Sequence, residues 1–559
     1  MQRAIILSAL LSLPGVLNAD SPFVRGDVNA NGAHELTDAM QLFGYLFRGE
    51  RGLPCLDAAD VDASGDVQLT DGIYLLDFLF LGGPQPPEPF SSCGAAGEGV
   101  LGCESFEACG DDTSISIHPK KELMIIDLSV VEDPCRNGWT AQGCGDGSRG
   151  AWTFGKLMAS LAGLQHVDED PRALSRFVVD WLRQMDNHRV VNGIEVAGRP
   201  GVEGFVESWA RISGFDDTDD PDLVLDMRRA PFRLLSIVSR LDLRRSASDG
   251  STLRGGEGRF VFCALSIDPR APGDPVHWRP LPATVIFEYS LAATSPREVI
   301  DWSQRWHALG SLPFGEQYNR ALQEITDDFA GPGLDADVPG GSSLSQLRTN
   351  EVAFGFPWEL REFHLRDVDP SSVLDSPETV RLVQAPVAQT VDLGLDGTER
   401  LRRFVNANSD LVRRGEHVVP LEFEGRPFLA GSAFVPSKVF GWTVPTYDCD
   451  EPRHQLSLNT CNGCHGGETG TEFVHVGPRR AGRQASLSAF LGGVSVRDPV
   501  CDVDESAATT GVEPVREFHD LERRARDLRG LLRIGATRTA HNADIGLLFL
   551  GLEPHRGPH

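Results

Sequence analysis

Apolar residues recur along this chain in three rhythms, and each predicts a different element. Two helical patterns come first, at 39–47 and 73–81, each directly behind an acidic loop. From 115 to about 400 the rhythm is mixed. Strand-like runs at 122–131, 232–238, 259–265 and 284–289 interleave with helical patterns at 153–161, 173–185, 297–309 and 316–329. They interleave without a regular βαβ beat, so an α+β domain is the expectation. Behind it, 398–416 predicts a charged helix, then comes a short β-rich section to 445, and 515–532 predicts a further helix.

The first residues fit a secretory signal: Arg3, an apolar run over 4–13, and small residues at Leu17-Asn18-Ala19 before Asp20. That run is too short to span a bilayer, and no later stretch reads as a membrane helix. The Pro/Gly-rich sequence from Gly82 marks a boundary, with a Cys-bearing linker over 84–114. Composition narrows the partners. Net charge is −28, which argues against nucleic acid and anionic membranes.

The 11 cysteines suit an oxidising, exported compartment. Proximity suggests bridges Cys55–Cys93, Cys103–Cys109, Cys135–Cys144 and Cys449–Cys501. Cys263 lies in an apolar run and reads as a buried thiol. Glu257, Arg259, Glu288, Arg305, His307, Asn350, Glu351, Trp358 and Glu359 stand in unusual contexts and read as structural salt bridges or their neighbours. Residues 115–400 carry no nucleophile elbow, no HExxH helix and no phosphate-binding P-loop, and they resemble no characterised family.

The acidic loops repeat with a period of 33, from Asp27 to Asp60. The first offers oxygen at Asp27, Asn29, Asn31, Glu35 and Asp38, with the Ala33 carbonyl between. The second offers Asp60, Asp62, Ser64, Gln68 and Asp71, with the Asp66 carbonyl. Both have glycine at position 6, where a calcium loop turns sharply, and hard oxygen donors favour calcium over transition metals. One helix after each loop, and aspartate rather than glutamate at position 12, resemble the type I dockerin module over 23–83. The resemblance implies two calcium sites and a cohesin partner docking near Leu36, Thr37, Leu69 and Thr70. His34, at position 8 of the first loop, departs from the usual apolar residue.

Cys461-Asn462-Gly463-Cys464-His465 has the C-x-x-C-H spacing of c-type haem attachment. Two thiols two positions apart reach two porphyrin vinyl groups, and the histidine supplies an axial nitrogen. The pentapeptide, with the glycine that follows it, is similar to the attachment site of c-type cytochromes, which implies one covalent haem and a redox partner. No methionine follows Met227, so the methionine ligand of small cytochromes is missing downstream and His475 is the nearest nitrogen donor. His454, His519 and His541 are further candidates. A Cys461–Cys464 disulfide and a zinc half-site remain alternatives at this point.

The chain therefore reads as a multidomain exported protein. A signal at 1–19 precedes a small all-α duplicated calcium-loop/helix module at 23–83. A large α+β domain at 115–400 follows, and a mostly helical C-terminal region at 401–559 carries the CxxCH motif. Electron transfer or haem-linked redox chemistry is the expected role. A non-redox secreted binding protein is the alternative, and a polysaccharide-active hydrolase the third.

Overall fold

The computed structural model describes residues 23–30, 34–48, 53, 55–90, 93–94, 101–103, 106, 109, 115–145, 147–246, 253–293, 295–334, 339–367, 380–447, 451–501 and 515–538. The expected signal at 1–19 lies outside them. They fall into two compact units, one within the first 115 residues and one from residue 116 onward.

The first unit is built on helices α1 (Leu36–Arg48) and α2 (Leu69–Leu81). Each begins at the end of an acidic loop, so an aspartate (Asp38, Asp71) sits in its first turn, where the helix dipole favours negative charge. Gln68 and Asp71 form a reciprocal capping box on α2, and Gly82, at φ +74°, ends it. Val28, Ala39, Leu42, Ala59, Val61 and Leu75 close the core beneath the helices.

Two bridges staple this unit, Cys55–Cys103 and Cys93–Cys109. They replace the Cys55–Cys93 and Cys103–Cys109 pairs that proximity suggested. The cause is backbone pairing: Cys55 and Cys103 face each other across an antiparallel bridge, and Gly94 pairs with Phe23. In the second unit Cys135–Cys144 forms as expected and Cys263 is a buried free thiol. Cys501 is disulfide-bonded, and Cys449 lies outside the described residues.

The second unit is mixed α/β around a large antiparallel sheet. Its nine strands are β1 (Met124–Ile125), β2 (Phe232–Arg240), β3 (Arg245–Ser246), β4 (Leu253–Ser266), β5 (Arg279–Ala292), β6 (Leu344–Glu351), β7 (Trp358–Asp367), β8 (Val380–Ala385) and β9 (Ala433–Val435). The order is β1-β2-β4-β5-β6-β7-β8, with β3 on β4 and β9 on β7. Because β9 pairs with β7, residues beyond 401 belong to the same compact unit as the middle region.

Strand alternation gives the sheet two unlike faces. One carries Phe260, Phe262, Val285, Phe287 and Phe363; Phe262 and Phe287 pack with Phe154, Phe363 with Trp181 of helix α3 (Pro171–Asp186), and Phe260 with Phe329. Helices α4 (Pro296–Ala308) and α5 (Glu316–Ala330) form as the apolar spacing predicts. The opposite face carries Arg259, Glu288, Arg348, Asn350 and Glu362, all buried. Arg259 bridges Glu257 (2.6 Å) and Glu288 (3.3 Å), and Arg348 bridges Glu362 (3.0 Å).

Two elements differ from expectation. The run at 122–131 is strand only at β1. Asp127 then accepts from the Ser129 backbone N–H and caps a helical turn, Leu128–Val131. Val515–Phe518 is a strand paired with Val494–Arg497, so the helix expected from 515 begins at Asp520, as the long C-terminal helix Asp520–Arg538. Among the described residues no helix is long and apolar enough to cross a membrane.

Candidate functional site

The two acidic loops share one hydrogen-bond scheme. In the first, Asp38 accepts from the Asn29 amide (3.0 Å) and the Glu35 amide (2.8 Å). In the second, Asp71 accepts from the equivalent Asp62 (3.1 Å) and Gln68 (2.8 Å) amides. Position 4 is left-handed in both, at Ala30 (φ 56°) and Ala63 (φ 57°), and Gly65 takes φ 90° at the turn. Carboxylate oxygens of Asp60, Asp62 and Asp71 lie within 4.8 Å of one another. Burial raises the Asp71 pKa and pushes Asp38 up to about 6, with neighbouring acids adding a smaller push in the same direction. Ser64 and Asp66 sit on the rim of the second loop, and the Ser64 amide donates to Asp60 (2.8 Å). Asn31 and Ala33 lie outside the described residues, so the first ring is described only at Asp27, Asn29, Glu35 and Asp38. His34 is partly buried, stacked on Phe90 at 4.2 Å.

The CxxCH motif forms a single helical turn, α6 (Cys461–Cys464). Thr460 caps it, accepting from the Gly463 amide (3.1 Å), while the Trp442 indole donates to Thr460 and to the Asn462 side chain (both 2.9 Å). A Cβ on Gly463 would stand 2.1 Å from the Ser457 carbonyl oxygen, so only glycine fits at that position of the turn. Behind the turn, Arg453 donates to Glu468 (2.7 and 2.9 Å) and pairs with Asp498, and His454 pairs with Glu468. Burial would raise Glu468, but His454 and Arg453 hold it down to about 2.

Cys461 and Cys464 are buried free thiols, and no bridge joins them. Burial raises both thiol pKa values, Cys464 well above its ordinary value, so neither is the low-pKa thiolate of a redox-active CxxC pair. Burial lowers His465 to about 4, so its ring is neutral at pH 7. Its Nδ1 stands 2.8 Å from the Phe473 carbonyl, and a carbonyl only accepts. The proton is therefore on Nδ1, and Nε2 carries the lone pair a metal would take. Phe473 holds φ +70°, a conformation costly for an aromatic residue, at the carbonyl that fixes this tautomer. Trp358 stacks on the ring at 5.1 Å.

His465 opens onto a cavity of about 70 Å³, far below the volume of a cofactor pocket. The charged face of the sheet forms the floor, through Val238 and Arg240 of β2, Val261 of β4, Ile286 of β5, Asn350 of β6 and Leu360 of β7. His475, Leu491 and Arg524 complete the walls. His475 is buried; its Nε2 lies 3.6 Å from the Cys464 sulfur and its Nδ1 2.9 Å from Ser488 Oγ. Burial, then His465, drives its pKa well below the ordinary value.

The donor set has the chemistry of c-type haem attachment, free thiols and a neutral histidine with a fixed tautomer, but the adjoining cavity is too small for the macrocycle and neither cysteine lines it, so side chains around it would have to part. The trans partner fits less well. The His465 and His475 ring centres are 4.5 Å apart. Iron–imidazole bonds of roughly 2 Å on each side would place them roughly 6 Å apart, so His475 must move back to serve as sixth ligand. The motif donors do not converge as a metal-binding group of three among the described residues, so the zinc half-site finds no completing ligands. His454 is occupied by Glu468, His519 is on the surface beside Glu522, and His541 lies outside the described residues. Sequence reasoning missed Arg240 and Arg524, which reach the cavity from the sheet and from the C-terminal helix. No family model, curated protein or solved structure matches the chain.

Proposed function

We propose that this chain is an exported redox protein: a dockerin-like module folded by two calcium ions precedes a unit that carries one covalent c-type haem. The observation that carries the reading is the Nδ1–H bond of His465 to the Phe473 carbonyl, beside two buried free thiols. It leaves Nε2 as the ligand nitrogen and makes that nitrogen more basic. When bound, a haem would supply one-electron chemistry at the iron. The chain's own part is to hold and shield it: Cys461 and Cys464 by thioethers, His465 by its ring, Trp358 and the sheet by excluding water.

In the first unit, Asp27, Asn29, Asn31, Ala33, Glu35 and Asp38, then Asp60, Asp62, Ser64, Asp66, Gln68 and Asp71, are the proposed calcium donors. Leu36, Met40 and Phe47 on α1 and Leu69, Ile73 and Phe80 on α2 are exposed apolar residues that suit a cohesin-type partner. The test of the haem reading is a pair of single variants, Cys461→Ser and Cys464→Ser, secreted from a host that attaches haem c. Each single variant is expected to hold haem by one thioether at most, which moves the pyridine haemochrome band to longer wavelength, and the double variant to lose all haem absorbance that resists acid–acetone extraction; all are expected to keep the near-UV signature of the fold. A wild-type chain with no covalent haem, and Cys461 and Cys464 joined by a disulfide, would favour the non-redox binding reading.

A further inference from the structure

A second cleft shares no lining residue with the cavity at His465, and its volume of about 350 Å³ falls within the range of small-molecule sites. The edge of the sheet makes it. Strand β1 is two residues long and covers β2 at Ile237 and Val238 alone, so Phe232–Leu234 has no strand on its outer side. Arg479 stands there instead, donating to the Leu234 carbonyl (2.8 Å). Residues 131–134, 227–230 and 275–276 close round the exposed edge. Phe232, partly exposed, lines the cleft and stacks on Phe154 at 3.9 Å, and Val276 stands exposed on the rim.

Four arginines and two acids line this cleft, and the acids are already taken. Glu132 accepts from Arg479 and from the Gly482 amide (2.9 Å). Asp133 accepts from Arg136 (3.1 Å), from Asn319 (2.7 Å) and from the Cys135 and Arg136 amides (2.9 and 2.7 Å). Arg228 pairs with Asp168, and Arg229 with Asp226 (2.6 Å). Glu316, the second acid on Arg136, is on the surface, where solvent screens it. Pair by pair the lining charges cancel, except at Arg233. Among the described residues its guanidinium donates to two main-chain carbonyls, Arg479 (3.1 Å) and Pro275 (2.7 Å), and to no carboxylate. The rest of its N–H fork is uncommitted. Burial is the largest influence on Arg233 and pulls its pKa below the ordinary value, since no carboxylate partner offsets the lost water. The two carbonyls come from separate loops and fix the guanidinium in place, so a ligand meets it pre-organised.

We propose that this cleft binds a small organic carboxylate with a flat apolar body, the carboxylate on Arg233 and the body against Phe232 and Val276. The bond from Arg233 is charge-assisted, and the partly apolar wall keeps it from full solvent competition. A wholly polar anion leaves the apolar wall unused, and an uncharged apolar molecule leaves Arg233 unmatched. No residue of the CxxCH motif lines the cleft, so this site and the haem reading stand or fall separately.

The experiment is calorimetric titration of the full secreted chain with 2-naphthoate, its uncharged isostere 2-naphthamide, and acetate, which has the charge without the body. Wild type is expected to take up one 2-naphthoate per chain and to bind 2-naphthamide and acetate roughly tenfold more weakly or worse, the loss expected when a charge-assisted bond or the apolar contact is missing. Arg233→Gln should weaken 2-naphthoate by a similar factor and erase its preference over 2-naphthamide, and Arg233→Lys should restore part of that preference. Ala481→Trp, at a partly exposed turn position that lines the cleft, should block both naphthyl compounds with an unchanged near-UV spectrum. It covers the case in which Arg233→Gln does not fold. A wild-type chain that ignores 2-naphthoate or binds it no better than 2-naphthamide overturns the site. So does a folded Arg233→Gln or Ala481→Trp protein with undiminished 2-naphthoate binding.

Discussion

The acidic loops and the cavity at the CxxCH motif solve the same problem, holding charged or ligating groups away from water, on opposite plans. Each loop draws its oxygens from twelve consecutive residues, and one aspartate, Asp38 or Asp71, organises the ring by accepting two backbone amides. The cavity takes its walls from strands β2, β4, β5, β6 and β7 and from the C-terminal helix, and one helical turn carries the two free cysteines beside it. A local site forms and dissolves with its own segment, so it can depend on an ion for its stability. A site assembled from distant strands is only as stable as the whole sheet, so its geometry is inherited rather than induced. The two should therefore respond to different perturbations.

Calcium removal is the perturbation with the largest expected effect. Chelation leaves buried Asp38 and Asp71 beside other acids with no cation, so the first unit should lose the circular-dichroism signal of its two 13-residue helices, with a far lower melting temperature, while the second unit melts unchanged. Helices that persist in EDTA would break the comparison on the calcium side.

Acid acts on the second unit. His417 is 0 % exposed, both its ring nitrogens lack a hydrogen-bond partner among the described residues, and burial lowers its pKa to about 4 from 6.5. The unfolded chain binds the proton first, so this stability is present above pH 6.5 and is lost as pH falls towards 4. The full loss is on the order of 3 kcal/mol. His417→Gln should flatten that part of the denaturation-against-pH curve; an unaltered curve would remove His417 from the account.

Smallest is a steric test of the motif turn. Gly463→Ala places a methyl group 2.1 Å from the Ser457 carbonyl oxygen and should cost about 1–3 kcal/mol in chemical denaturation of the second unit. The first unit should not notice it, and an unaffected second unit would mean that the turn tolerates a side chain there.

The same contrast governs what could be read from the chain before its structure. The duplicated acidic loops were legible because the spacing of their oxygen donors is a local property, and their duplication made the pattern hard to miss. The cysteine pairs of the first unit were not, since Cys55 meets Cys103 through backbone pairing that spacing does not encode. Strands β4 and β5 announced themselves as apolar runs. Strands β6 and β7 did not, because Arg348, Asn350, Glu351, Glu359, Arg361 and Glu362 are buried in ion pairs and polar contacts that make a core strand look like surface. Cys461, Cys464, His465 and His475 were visible from spacing alone. Arg240 and Arg524 belong to the cavity only through the fold.

The central claim is that Cys461, Cys464 and His465 carry a haem. The most direct measurement is the absorption spectrum of the mature chain, secreted from a host that attaches haem c, taken before and after acid–acetone extraction and confirmed as a pyridine haemochrome. The account expects a Soret band that survives extraction, with one haem per chain. No Soret band, or one that the solvent removes completely, would contradict it.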